Sequence, residues 1–149
     1  MDLKSLLVDS KTAWVEFPGM EGFEVELANL SRKELVALRK RCTTNKFDRK
    51  LRIFNETLDE QKFLVEFTES VIKNWKGLKL KYLEEMILVD ISNEDPEVEM
   101  PYTDDNAKLL VENSSEFDNW LNEVVFDLEN FRSETKGTPT PKAKDVPGQ

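Results

Sequence analysis

The sequence predicts an α+β fold that is mostly α-helical, with an N-terminal β-hairpin followed by four to five helices and a disordered C-terminal tail. Three observations carry this. Residues alternate with a period of two from Thr12 to Phe17 and again through Phe23, Val25 and Leu27. Beyond residue 30, apolar residues recur at helical spacing in several separate stretches. From Ser133 onward the chain concentrates Pro, Gly, Thr and Lys, and Val146 is its one large aliphatic residue. Such a segment buries too little to offset the entropy of ordering it.

The elements follow in order. PGMEG, residues 18 to 22, joins the two alternating runs as a hairpin loop. Ser31 and Glu34 have the spacing of a capping box, with Leu35 and Leu38 behind them, which predicts a helix over 32–42. KFDRK interrupts the pattern. A helix is expected again near Asp59, with Phe63, Phe67, Val71 and Trp75 four residues apart and Gly77 as its stop. KLKYLEEMILV, residues 79–89, is short enough to be a helix or a buried strand; Tyr82, Leu83, Met86 and Ile87 share one helical face, which favours the helix. SNEDPEVEMP then reads as an acidic loop, and 104–112 as a short helix. The last helix starts at a Ser114-Ser115 cap and carries Phe117, Trp120, Leu121, Val124, Val125, Leu128 and Phe131 on one stripe, with Glu116, Asp118, Glu123, Asp127 and Glu129 off it. Residues 1–132 are read as a single domain and 133–149 as a flexible tail.

Composition narrows the function. The chain has 149 residues, 39% of them hydrophobic, with nine Phe and three Trp, enough for a core without disulfides or metal. Its single cysteine, Cys42, cannot form an internal disulfide, and no signal-like apolar segment follows Met1, so a reducing cytoplasm is expected. No apolar run has the length of a membrane span. The net charge of −9 speaks against nucleic acid as a partner. That charge is uneven, because Arg32 to Arg52 holds nine basic residues against Glu34 and Asp48, a local +7 that leaves −16 on the remainder. These cations read either as solvated helix and loop positions or as a docking surface for an acidic partner.

The chain has no histidine, and with it go the commonest general base, the commonest metal ligand and every Ser-His or Cys-His nucleophile. Its five glycines are too scattered for a phosphate-cradling loop. Cys42, beside Arg39, Lys40 and Arg41, could have a lowered thiol pKa, but it lacks a base partner. The pairs Glu84-Glu85, Glu94-Asp95 and Asp104-Asp105 could serve two-carboxylate chemistry or a hard cation, yet adjacent helical residues diverge. In MPYTDDNAKLL the simpler account has Thr103 capping a helix, worth about 1 kcal/mol, with Asp104 and Asp105 at the positive end of its dipole. The aromatic stripes read first as core, and three or four amphipathic helices can also leave a groove for a partner helix.

Taken together, WVEFPGMEGFEVELANLSRKEL, FLVEFTESVIKNWKGL, MPYTDDNAKLL and SSEFDNWLNEVVFDLENF resemble the tail assembly chaperones of long-tailed bacteriophages. The matching pieces are the hairpin, L-S-R-K-E-L at 30–35, W-x-G at 75–77, the PYT start with Asn106 three residues after Thr103, and an aromatic closing helix over 117–131. The resemblance spans about residues 12–132. It departs at 78–99, where the family passes by a short turn and this chain inserts an extra helix.

The resemblance implies a non-enzymatic protein of the host cytoplasm, without cofactor or metal. It would bind the tape measure protein, keep it soluble, help recruit the tail tube protein (in a longer, frameshifted form) and be absent from the finished virion. The chain resembles the shorter form, and self-association into a homo-oligomer is left open. The residues offered for partner binding are Arg39, Lys40, Arg41, Trp75, Tyr102 and Trp120. Two other classes remain beside it: an acidic regulatory adaptor or inhibitor of a host protein, and a metal-dependent hydrolase built on the acidic clusters.

Overall fold

The computed structural model describes residues 1–8 and 10–132. The expected tail over 133–149 lies outside them. The fold expectation is corrected: in place of one hairpin and four to five helices, the described residues form six α-helices and five strands in two antiparallel sheets. After a short N-terminal turn of helix, α1 (Leu3–Leu6), strands β1 (Thr12–Glu16) and β2 (Glu24–Ala28) form the anticipated hairpin. Helix α2 (Arg32–Arg41) begins at the anticipated capping box: the Ser31 hydroxyl accepts from the Glu34 amide at 3.1 Å, and the Glu34 carboxylate accepts from the Ser31 amide at 2.9 Å.

The first departure is at KFDRK. The chain forms a second hairpin, β3 (Thr43–Asp48) and β4 (Ile53–Leu58), which among the described residues pair only with each other. Its turn is set by Asp48, whose carboxylate accepts the amides of Lys50 and Leu51 at 2.8 and 3.1 Å, and by Arg52 at φ +55°. The Asp59 amide donating to the Cys42 carbonyl at 2.7 Å closes the base.

The second departure follows α3 (Glu60–Val71), which stops four residues short of Trp75. The chain turns straight into strand β5 (Ile72–Lys76), which pairs antiparallel with β2 and completes a sheet of order β1-β2-β5. A lone hairpin is marginal in water, and a third strand lets Val25 and Leu27 be fully buried. Ala13, Val15, Leu27, Val25, Ile72 and Trp75 lie on the inner side. Trp14, Glu16, Glu24, Glu26 and Lys76 lie on the outer side, where the Lys76 ammonium sits 4.6 Å above the Trp14 ring.

Gly77 is therefore a strand-end glycine and not a helix stop. At φ +75° it lies against the β1–β2 turn, where an added Cβ would overlap the Gly22 carbonyl oxygen. Residues 80–86 form a helix, α4 (Leu80–Met86), burying Leu80, Leu83 and Met86. It lacks a side-chain cap, and the acidic loop supplies acceptors: the Leu80 and Lys81 amides donate to the Val98 and Pro96 carbonyls at 2.8 and 3.1 Å. Helix α5 (Asp104–Asn113) starts at Thr103 as anticipated. Helix α6 (Ser115–Val124) is shorter than its apolar stripe suggests, and a 3-10 turn (Leu128–Phe131) returns Phe131 to the core.

The core is aromatic at its centre. Phe17 and Phe23 from the first hairpin meet Phe117 and Trp120 of α6 with ring centroids 5.0 to 6.3 Å apart. Among the described residues no helix is long and apolar enough to cross a membrane.

Candidate functional site

The six residues singled out from sequence fall into two places. Arg39, Lys40 and Arg41 occupy the last turn of α2, where cations meet the negative end of the helix dipole. Arg39 lies over the Phe63 ring at 5.4 Å, and Arg41 pairs with Glu66 at 3.0 Å. Trp75 and Trp120 belong to the core, and Tyr102, partly buried, packs against it. Trp75 is 5% exposed, its indole N–H donates to the Met100 carbonyl at 2.9 Å, and its ring meets that of Tyr102 edge-on at 5.3 Å. Trp120 is 8% exposed and packs edge-on against Phe17 at 5.0 Å. The Tyr102 hydroxyl lies 3.3 Å from the Ile72 carbonyl and 3.1 Å from the Asp104 carboxylate. Partial burial and that carboxylate push its pKa up to about 12.

MPYTDDN is thus a clasp. The Thr103 hydroxyl accepts the Asn106 amide at 2.9 Å, and the Asn106 carboxamide donates to the Pro101 carbonyl at 3.0 Å. Asp104 and Asp105 sit in the first turn of α5. Among the described residues no three His, Cys, Asp or Glu side chains gather as a metal site. Cys42 is buried, and its thiol pKa is raised, by burial first and then by Glu66; the nearby Lys62 and Arg41 do not reverse this.

Two clefts border α3. One of about 660 Å³ runs along α3 and is lined by Arg41, Lys62, Val65, Glu66, Glu69 and Lys73. A smaller one of about 320 Å³ lies between α2 and α3, beside Asn29, Glu34 and Leu38.

One exposed apolar cluster lies where the sequence reading placed a break. On the second hairpin Phe47 and Phe54 form a directly opposed pair with centroids 5.1 Å apart, yet Phe54 is 71% exposed. Leu51 and Ile53 are exposed beside them. Lys46, Arg49, Lys50 and Arg52 flank these four residues, and none has an ion-pair partner among the described residues. The +7 stretch from Arg32 to Arg52 is therefore the whole of α2 followed by β3 and its turn, a cationic segment that leads into exposed aromatics. Exposed apolar clusters with a polar rim mark contact sites. The signal was present as Thr43-Thr44, Phe47, Ile53-Phe54 and Thr57, residues that favour strands.

In comparisons with known proteins, no family model, no curated protein and no solved structure matches the chain.

Proposed function

We propose that the chain is a tail assembly chaperone of a long-tailed bacteriophage, working in the host cytoplasm and binding the tape measure protein to keep it soluble until tail tube protein assembles around it. The resemblance of residues 12–132 suggests the class. The observation that carries the binding role is the second hairpin: Phe47, Leu51, Ile53 and Phe54 stand in solvent, ringed by four cations that lack ion-pair partners among the described residues. A long helical client exposes apolar stripes with charged borders. The hairpin offers such a stripe apolar contact, with cations for its acidic border. Arg39, Lys40 and Arg41 extend the cationic rim. Trp75, Tyr102 and Trp120 support this surface only through the stability of the core. No catalytic step is assigned to any residue.

The test is co-expression with a tape measure protein from the genome that encodes this chain. The expected result is soluble client that co-purifies with the chain, and loss of both on Phe54→Ser with the variant's melting temperature unchanged. Client that stays insoluble and fails to co-purify overturns the proposal.

A further inference from the structure

The three-stranded sheet has two edges, and the chain attends to only one of them. At β5 the Tyr102 hydroxyl lies 3.3 Å from the Ile72 carbonyl, and just past the strand the Gly77 amide donates to the Glu99 carboxylate at 3.1 Å. At β1 the bonds that bracket the strand run from the Asn29 amide to the Lys11 carbonyl at 3.0 Å and from the Phe17 amide to the Phe23 carbonyl at 2.9 Å. Bonded and unbonded pairs alternate along an antiparallel ladder, so the odd-numbered residues of β1 bond to β2 and the N–H and C=O groups of Thr12, Trp14 and Glu16 point away from it. Those groups have no hydrogen-bond partner among the described residues. The 3-10 turn over Leu128–Phe131 runs beside β1 without bonding to its backbone. Natural sheets blunt such an edge with a proline, a bulge or a central lysine. Thr12–Glu16 has none of these, and at its middle stands Trp14, 41% exposed.

The surroundings of the edge select what adds to it. Thr12, Trp14 and Glu16 share the solvent side of the sheet with Glu24, Glu26, Asn74 and Lys76. Lys76 is divided between Glu24, 3.9 Å away, and the Trp14 ring, whose centroid is 4.6 Å away. Glu26, directly opposite Trp14, and Glu16, which accepts the Gly22 amide, have no ion pair among the described residues. Three carboxylates thus stand against one ammonium, and that ammonium demonstrates that the Trp14 ring accepts a cation. On the other side Ala13 and Val15 are half-buried against the core, and a strand laid beside them buries them further. The second hairpin also has unpaired edges, but Lys46, Arg49, Lys50 and Arg52 repel a cationic strand there. A second copy of β1 would add acid to an already acidic face.

The geometry points to β1 as a docking edge that takes, as a fourth strand, an extended segment of a partner protein in which Lys or Arg alternates with apolar residues. Main-chain bonds to Thr12, Trp14 and Glu16 hold the segment, its cations meet Trp14 and Glu16 on the solvent side, and its apolar residues cover Ala13 and Val15. This edge belongs to a different sheet from the hairpin offered to a helical client, so the inference does not rest on the chaperone proposal.

The probe is a short synthetic peptide of alternating Val and Lys, titrated into the full chain with amide hydrogen exchange followed by NMR. The β1 amides that face outward should exchange fast in the free protein, and excess peptide should slow those of Trp14 and Glu16 at least tenfold. Trp14→Thr, which keeps a strand-favouring residue, and Glu26→Gln should each weaken binding at least threefold, with melting followed as the control for folding. The loss from Glu26→Gln should shrink at high salt, where charge is screened. A peptide with Glu in place of Lys, and one with Pro in place of its central Val, should bind at least tenfold more weakly, and neither depends on a variant that folds. A Val-Lys peptide that fails to bind overturns the inference. So does one that binds equally to both variants, an acidic peptide that binds as well, or protection that falls on the second hairpin in place of β1. Outward β1 amides already slow without peptide overturn it too: slow at every concentration means that the chain covers its own edge, and slowing as concentration rises means that a second copy does.

Discussion

Gly77→Ala separates the observed role of this glycine from the one its position in the sequence suggests. A glycine that merely ends a helix occupies the left-handed region, and alanine there costs about 1 kcal/mol in strain. Gly77 has that φ, +75°, and also lies against the backbone of the β1–β2 turn. An alanine Cβ would overlap the Gly22 carbonyl oxygen and come within 2.7 Å of the Gly22 carbonyl carbon. Neither atom belongs to a flexible side chain, so the strand end and the turn must separate, at a further cost of roughly 1–3 kcal/mol typical of overpacking. The expected total of about 3 kcal/mol is a large share of the roughly 5–15 kcal/mol that holds a domain together. Gly19→Ala is the internal control, since Gly19 has a similar φ of +82° and nothing within 4 Å of the added Cβ. Urea denaturation followed by tryptophan fluorescence reads both. Gly77→Ala should lose roughly 2 kcal/mol more than Gly19→Ala, the difference being the overlap alone. Equal losses would refute the close approach and return Gly77 to an ordinary turn glycine.

Three further outcomes follow from the same packing. The phenol of Tyr102 rises from an ordinary value of 10 to about 12 on folding, so its contribution to stability is intact below pH 10 and is lost as pH climbs towards 12. An ultraviolet titration should show a high-pH tyrosinate component that Tyr102→Phe removes. The Thr68 hydroxyl is buried on α3 without a hydrogen-bond partner among the described residues, so Thr68→Val, equal in shape, should raise stability by about 1 kcal/mol in the same urea assay. Cys42, buried and with a raised thiol pKa, should resist a thiol reagent in the native protein and react at once in denaturant.

Much of the architecture is legible locally. The capping box at Ser31 and Glu34, the Thr103 cap and the Ser114 cap are satisfied within three residues of themselves, so short-range spacing finds them. The first hairpin is found for a similar reason: one of its faces is buried, and burial imposes the alternation. The second hairpin is exposed on both faces along most of its length, so no alternation of polarity marks it. Its strand-favouring residues were there to be read, and their lack of a buried side hid them. The partner-binding residues drawn from the aromatic stripes met the matching difficulty. A tryptophan that fills a core and one that anchors a partner look alike in sequence, and the neighbours in space separate them.

What this sequence determines by itself is where helices begin, which residues are apolar, and that positive charge collects between Arg32 and Arg52, because these depend on neighbours in the chain. Tertiary structure alone decided that the chain leaves α3 at Val71. The spacing of Phe63, Phe67, Val71 and Trp75 suits a helix, but β2 had an open edge, and pairing Ile72 to Lys76 with it satisfies backbone groups on both strands while still burying Trp75. The same strand brings Gly77 against Gly22, more than fifty residues away in the chain, a contact that no local pattern records.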